Sequence, residues 1–169
     1  YVPHTNDIYP SKYNPSYIFT PLTNQNYAFK YAEFLTYNSF LILKARNSFE
    51  TELDSELAIL LSSSGSTGSP KLIRISYKNL LSNASSISNY LNLNSDEIAI
   101  TNLPMNYSYG LSIINSHLYV GAKIVVTEKS VIQRDFWELV KINNVTSLSG
   151  VPYTYEILKK LRFFKMDLP

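Results

Sequence analysis

Ten consecutive residues, Ser62-Ser63-Ser64-Gly65-Ser66-Thr67-Gly68-Ser69-Pro70-Lys71, gather the chemistry-bearing side chains of this sequence into one stretch. Gly65 and Gly68 open backbone conformations closed to other residues. Ser63, Ser64, Ser66 and Thr67 supply hydroxyl donors, and successive backbone N–H groups in such a turn form an anion-binding nest. Lys71 adds a compact cation suited to phosphate charge. Together they describe a cradle for a polyphosphate. A Walker A loop separates its two glycines by four residues and opens a helix with Lys-Ser/Thr. Here the glycine spacing is shorter, Pro70 precedes the lysine and the chain continues as a strand, which argues against a P-loop NTPase. A flexible Ser/Gly linker would share the composition. The flanks argue against that too, because strand-like sequence enters and leaves within ten residues. A hairpin with a rich loop on rigid strands is a place where function sits.

The elements around the loop are read from periodicity. Leu57-Ala58-Ile59-Leu60-Leu61 is an apolar run of strand length, as in an interior strand. Ile73, Ile75 and Tyr77 alternate with polar residues as a half-exposed strand. Over 78–91, Leu80, Leu81, Ala84, Ile87 and Leu91 fall on one helical stripe. Beyond, strands at 97–101, 123–127 and 145–149 alternate with helices at about 110–119, 133–143 and from Pro152, a good first-turn residue. Ser130 with Gln133 fits a capping box for the second of these helices. Upstream, residues 27–36 are predicted helical, with Tyr27, Tyr31, Phe34 and Leu35 on one face, and Phe40–Ala45 as a short buried strand. The expected fold is α/β, a mostly parallel sheet flanked by helices. Residues 1–56 form an irregular lead-in and 57–169 carry the loop and the β/α alternation. In such sheets ligands sit beyond the carboxyl ends of the strands.

Composition narrows the function classes. Charged residues make up 17%, below the usual quarter, and polarity rests on 22 Ser and 16 Asn. Residues 1–70 hold 4 basic and 6 acidic groups; residues 71–169 hold 11 and 7. The net charge of +2 is too small to argue for nucleic-acid binding. Cysteine is absent, which excludes disulfides, thiolate metal sites and a cysteine nucleophile. The two histidines, His4 and His117, have no metal-ligand spacing, and no metal site is expected. No apolar run spans a membrane and no signal peptide opens the sequence, so a cytoplasmic setting is expected.

Ser63-Ser64-Gly65-Ser66-Thr67-Gly68-Ser69-Pro70-Lys71 resembles the phosphate-loop motif of the adenylate-forming (AMP-binding) enzymes, such as acyl-CoA synthetases, peptide-synthetase activation domains and firefly luciferase. Ser76-Tyr77-Lys78-Asn79-Leu80 is similar to the family's Thr-His-Arg-Asn-Leu helix start, with Tyr77 where His is usual. Leu103-Pro104-Met105-Asn106-Tyr107-Ser108-Tyr109-Gly110-Leu111 is similar to its Leu-Pro-Leu-Phe-His-x-x-Gly-Leu segment, with Tyr107 for His and Asn106 for Phe. Gly121-Ala122 and Gly150-Val151-Pro152 also fit, so the resemblance runs from about residue 57 to 162.

The resemblance implies activation of a carboxylic acid by Mg-ATP as an acyl-adenylate, then transfer to a thiol of CoA or a carrier protein. It implies that Ser63, Ser64, Gly65, Ser66, Thr67, Gly68 and Lys71 hold the ATP phosphates, with Thr67 and Lys71 assisting the chemistry. It implies that Tyr107, Gly150, Val151 and Pro152 border the acyl pocket, while Tyr109 and Gly110 shape the turn into the next helix. The family's Mg ligand Glu, adenine-stacking aromatic, ribose-binding Asp and mobile C-terminal domain have no match in this sequence. The chain is therefore expected to be an internal fragment, a single incomplete piece of the large N-terminal domain. It is expected to be inactive alone and to self-associate through uncovered apolar surface. Two further readings stand beside the acyl-CoA synthetase: an amino-acid- or carboxylate-activating enzyme loading a carrier protein, and a non-catalytic nucleotide-binding or interaction module.

Overall fold

The computed structural model describes residues 14–22, 30–38, 40–47, 52–62 and 72–169. The chain divides into two compact units, one up to Ser55 and one from Glu56 to Pro169.

In the first unit, β1 (Tyr17–Pro21), β2 (Tyr31–Tyr37) and β3 (Phe40–Ala45) form an antiparallel sheet in the order β1-β3-β2. Ile18, Tyr31 and Leu43 are buried on one face, with Leu41 and Ala45 packed beside them. The other face carries Phe19 stacked on Phe40 at 4.7 Å, and Tyr17 edge-on to Phe34 at 5.6 Å. Lys44 lies 5.8 Å from both of the latter rings. The helix expected over 27–36 is a strand from Tyr31 onward, after a turn at Lys30. A β-bulge between Glu33 and Leu35 breaks the period of two, so that Phe34 and Leu35 are both exposed. That break leaves a spacing that imitates a helix. The strand at Phe40–Ala45 has the expected bounds, but only Leu43 in it is buried.

In the second unit, β4 (Leu57–Ser62) and β5 (Leu72–Ser76) pair antiparallel, as a hairpin requires. Among the described residues Leu57–Leu61 pairs with β5 alone, at odds with an interior strand, and only Leu61 in it is buried. Tyr77 begins α1 (Tyr77–Leu91) instead of ending β5. Ser76 stops the strand by capping that helix. Its Oγ accepts from the Asn79 N–H at 3.1 Å, and its own N–H donates to Asn79 Oδ1 at 3.1 Å.

A parallel sheet follows, in the order β7-β6-β8: β6 (Ile98–Thr101), β7 (Lys123–Val126) and β8 (Ser147–Leu148). Helix α2 (Ser108–Tyr119) joins β6 to β7, α3 (Arg134–Ile142) joins β7 to β8, and α4 (Pro152–Lys160) leaves β8. The two crossovers run in opposite directions along the sheet. With the right-handed connection that parallel strands take, α2 and α3 must cover opposite faces. The packing agrees. Ile98 and Ile100 join Val125, Leu148, Phe136, Val140 and Leu158 in one core. On the other face Ser147, paired with Ala99, lies under His117 of α2, with Oγ to Nε2 at 3.5 Å. Helix α1 packs on α2 through small residues, the Ser88 hydroxyl donating to the Ser116 carbonyl at 2.9 Å.

Among the described strands only β6–β8 are parallel, so the expected mostly parallel sheet is corrected to a mixed α/β arrangement. The physical reason is connection length. Nine residues between β4 and β5 are enough for a hairpin but not for a crossover, which takes a dozen or more. The Ser130–Gln133 pair also differs from expectation. Gln133 Oε1 accepts from the Ser130 N–H at 2.6 Å, but this closes the turn before α3, whose N-cap is Gln133 and has no side-chain cap bond.

Candidate active site at the carboxyl edge of the parallel sheet

The order β7-β6-β8 creates a switch point. The chain leaves β6 toward β7 on one side, and β8 stands on the other, so the loops after β6 and β8 flank the place where such sheets leave a crevice. In open α/β sheets this crevice, beyond the carboxyl ends of the strands, is where ligands bind. Four of the residues singled out in the sequence stand there: Tyr107 after β6, and Gly150, Val151 and Pro152 after β8.

Tyr107 is the N-cap of α2, held by its backbone. Its N–H donates to the Pro104 carbonyl at 3.0 Å and its carbonyl accepts from the Leu111 N–H at 3.0 Å. The side chain is 62% exposed, so the ring is available at the edge and is not core. Gly110 lets α2 start this close to the loop. A Cβ there would lie 2.4 Å from the Pro104 carbonyl oxygen and 2.9 Å from that of Leu103. Only glycine fits, which accounts physically for the Gly-Leu that ends the motif.

Across the crevice, Val151 is the N-cap of α4 and Pro152 opens it, where a missing N–H costs nothing. The Thr154 N–H donates to the Val151 carbonyl at 2.8 Å. The Thr154 side chain fills the space a Cβ at Gly150 would need, with its Cβ 2.7 Å away. The turn is therefore tight and backbone-lined, with Val151 and Pro152 exposed.

The structure joins the two walls through a residue the sequence credited only with shaping a turn. The Tyr109 hydroxyl donates to the Gly150 carbonyl at 3.4 Å. Tyr107 itself makes no such link. Asn102 joins the β6 loop to the loop after β7, its Nδ2 donating to the Lys129 carbonyl at 3.1 Å. Lys129 is paired with Asp135 at 3.0 Å. Neither contact could be read from the sequence, since the partners of Tyr109 and Asn102 lie 41 and 27 residues away. Thr101 is fully buried at the end of β6, its Oγ1 accepting from the Leu103 N–H at 3.1 Å. His117 is buried as well, its Nδ1 2.8 Å from the Ile113 carbonyl, in keeping with a packing role.

Ser63, Ser64, Gly65, Ser66, Thr67, Gly68 and Lys71 lie outside the described residues. Their supports do not. Ser62 is the register partner of Leu72, so the nine residues 63–71 leave and rejoin adjacent strand ends, about 5 Å apart in an antiparallel pair. Among the described residues no three His, Asp or Glu side chains come together as a metal site. No helix among them is long and apolar enough to cross a membrane.

A model of the family described as AMP-binding enzyme matches residues 22–169. Malformin synthetase mlfA of Aspergillus tubingensis is 32% identical over 103 residues, 61% of this chain and 2% of the synthetase. The inhibitor-bound N-terminal domain of FACL13 from Mycobacterium tuberculosis aligns with a TM-score of 0.60 at 20% identity, covering 73% of this chain and 31% of that one. O-succinylbenzoate coenzyme A synthetase (MenE) of Bacillus subtilis, solved in complex with AMP, aligns with a TM-score of 0.53 at 24% identity, covering 60% and 21%. At these identities the solved structures bear on the fold. The chain spans about a third or less of each protein it resembles.

Proposed function

The chain belongs to the AMP-binding enzyme family, and from that premise we propose that it is part of an ATP-dependent, AMP-forming carboxylate ligase. The observation that carries the reading is the Ser/Thr/Gly/Lys loop set between two paired strand ends, in the same chain as a switch-point crevice. ATP phosphates would be held by the hydroxyls and N–H groups of residues 63–68 and by Lys71. A carboxylate oxygen of the substrate attacks the α-phosphorus, the bond from that phosphorus to pyrophosphate breaks, and an acyl-adenylate results. Thr67 and Lys71 would act on the charge that builds on the departing phosphates. Tyr107 and the Gly150–Pro152 turn would border the acid. A thiol sulfur then attacks the acyl carbon and AMP leaves.

The residues suit ATP by their chemistry, being hydroxyl donors and a cation with no carboxylate among them. Mg2+, which accompanies ATP in such reactions, has no ligands assigned in this chain. The 169 residues are read as an incomplete piece of an N-terminal domain, working in the cytoplasm and inactive alone. The acceptor is read as the thiol of coenzyme A, in line with the fold shared with MenE. One observation favours a second reading, transfer to a carrier-protein thiol. The matched stretch of malformin synthetase is a small part of a much larger chain. A non-catalytic nucleotide-binding module is the third.

Isotope exchange between pyrophosphate and ATP, run against a panel of carboxylic acids, tests the proposal. Acid-dependent exchange is expected from the complete AMP-binding domain, with none above background from the 169-residue chain. No exchange from the complete domain with any acid rejects the ligase in favour of the binding module. Exchange by the short chain contradicts its inactivity.

A further inference from the structure

We propose that Tyr109 is a positioning residue that sets the width of the crevice by tying the β6–α2 turn to the β8–α4 turn. The inference rests on the proposed function, because it takes the crevice to hold the acid. Three observations lead to it. First, Tyr109 is the second residue of α2, and its hydroxyl reaches the Gly150 carbonyl at 3.4 Å across the switch point. Second, the donor side is closely packed: Gly110, the next residue, is buried, and a Cβ there would lie 2.4 Å from the Pro104 carbonyl oxygen. Third, β8 is only two residues long, so little sheet pairing holds the turn that follows it.

Gly150 lies two residues past the end of β8, and the Tyr109 hydroxyl reaches its carbonyl from the opposite wall in a long hydrogen bond of 3.4 Å. The ring is 41% exposed while its hydroxyl is engaged. Tyr109 thus acts on a bound acid through the Gly150–Pro152 wall. Misplacing a wall by about 1 Å can cost on the order of a hundredfold in rate, but losing one long hydrogen bond at an open edge shifts it less.

The test has two readouts on Tyr109→Phe, which keeps the ring and removes the donor. In the 169-residue chain, amide exchange of the peptide 148–156 should quicken severalfold, with the peptide 78–90 in α1 unchanged as a folding control. In the complete domain, the KM for the acid should rise about fivefold, while the KM for ATP and kcat stay within about twofold. Tyr109→Ala should do both more strongly. Unchanged amide exchange overturns the tether. Faster exchange with an unchanged acid KM overturns the positioning role. A wild-type domain with no acid-dependent activity rejects the ligase reading and this role with it, and the amide exchange still reports separately on the tether.

Discussion

Among the described residues, two three-stranded sheets use the same number of strands to opposite ends. In β6–β8 both faces are covered: Ile98 and Ile100 pack under α3 and α4, and Ala99 and Thr101 are buried on the other side. In β1–β3 one face is covered, while Tyr17, Phe19, Leu35, Tyr37 and Phe40 are exposed. Parallel strands need crossover helices, and those helices bury both faces. The crossovers also send their loops to one edge, which is how Tyr107, Tyr109 and Gly150 come to share a crevice. Antiparallel hairpins return at both ends and gather no such edge. The comparison teaches that the candidate site follows from connection type more than from strand count.

The sharpest way to break this comparison is to empty the enclosed core. Phe136 is fully buried, and Phe136→Ala should destabilise the unit from Glu56 to Pro169 by about 3–5 kcal/mol in urea titration. A loss below about 1 kcal/mol would mean the sheet is not enclosed as described. Next, Gly110→Ala should cost about 1–3 kcal/mol by forcing α2 away from the Pro104 carbonyl. An unchanged midpoint would show that the turn has slack. Ser76→Ala should cost about 1 kcal/mol through the lost cap of α1, with Ser76→Gly milder. The smallest effect belongs to the open sheet. Phe19 is 55% exposed and stacked on Phe40, so Phe19→Ala should cost about 0.5–1.5 kcal/mol. A loss matching that of Phe136→Ala would erase the distinction between the two sheets.

The sequence made the regular elements legible where periodicity was clean. Strand β3 has the bounds read for it, and α1 to α4 lie within a few residues of their expected places, because each buries one stripe. Legibility failed where a local device broke the period. The bulge at Glu33/Leu35 disguised β2 as a helix, and the bulge between Leu57 and Ile59 accompanies an apolar run that imitates an interior strand. Of the candidate site, the motif types were visible, including Gly110 and Gly150. The Tyr109–Gly150 and Asn102–Lys129 links were not, since side-chain contacts across a switch point leave no spacing in the sequence.

The loop at 63–71 is proposed to handle ATP phosphate, with β4 and β5 holding its ends. The most direct test is the Thr67→Ala/Lys71→Ala double variant in the complete AMP-binding domain, followed by acid-dependent pyrophosphate release and by urea unfolding. Contacts to charged phosphate are worth about 1.5–3 kcal/mol each, so release should fall by at least about a hundredfold. The unfolding midpoint should stay put, since the described β4–β5 pairs, from Leu57↔Ser76 to Ser62↔Leu72, are left untouched. Pyrophosphate release at the wild-type rate in the folded double variant would contradict the account.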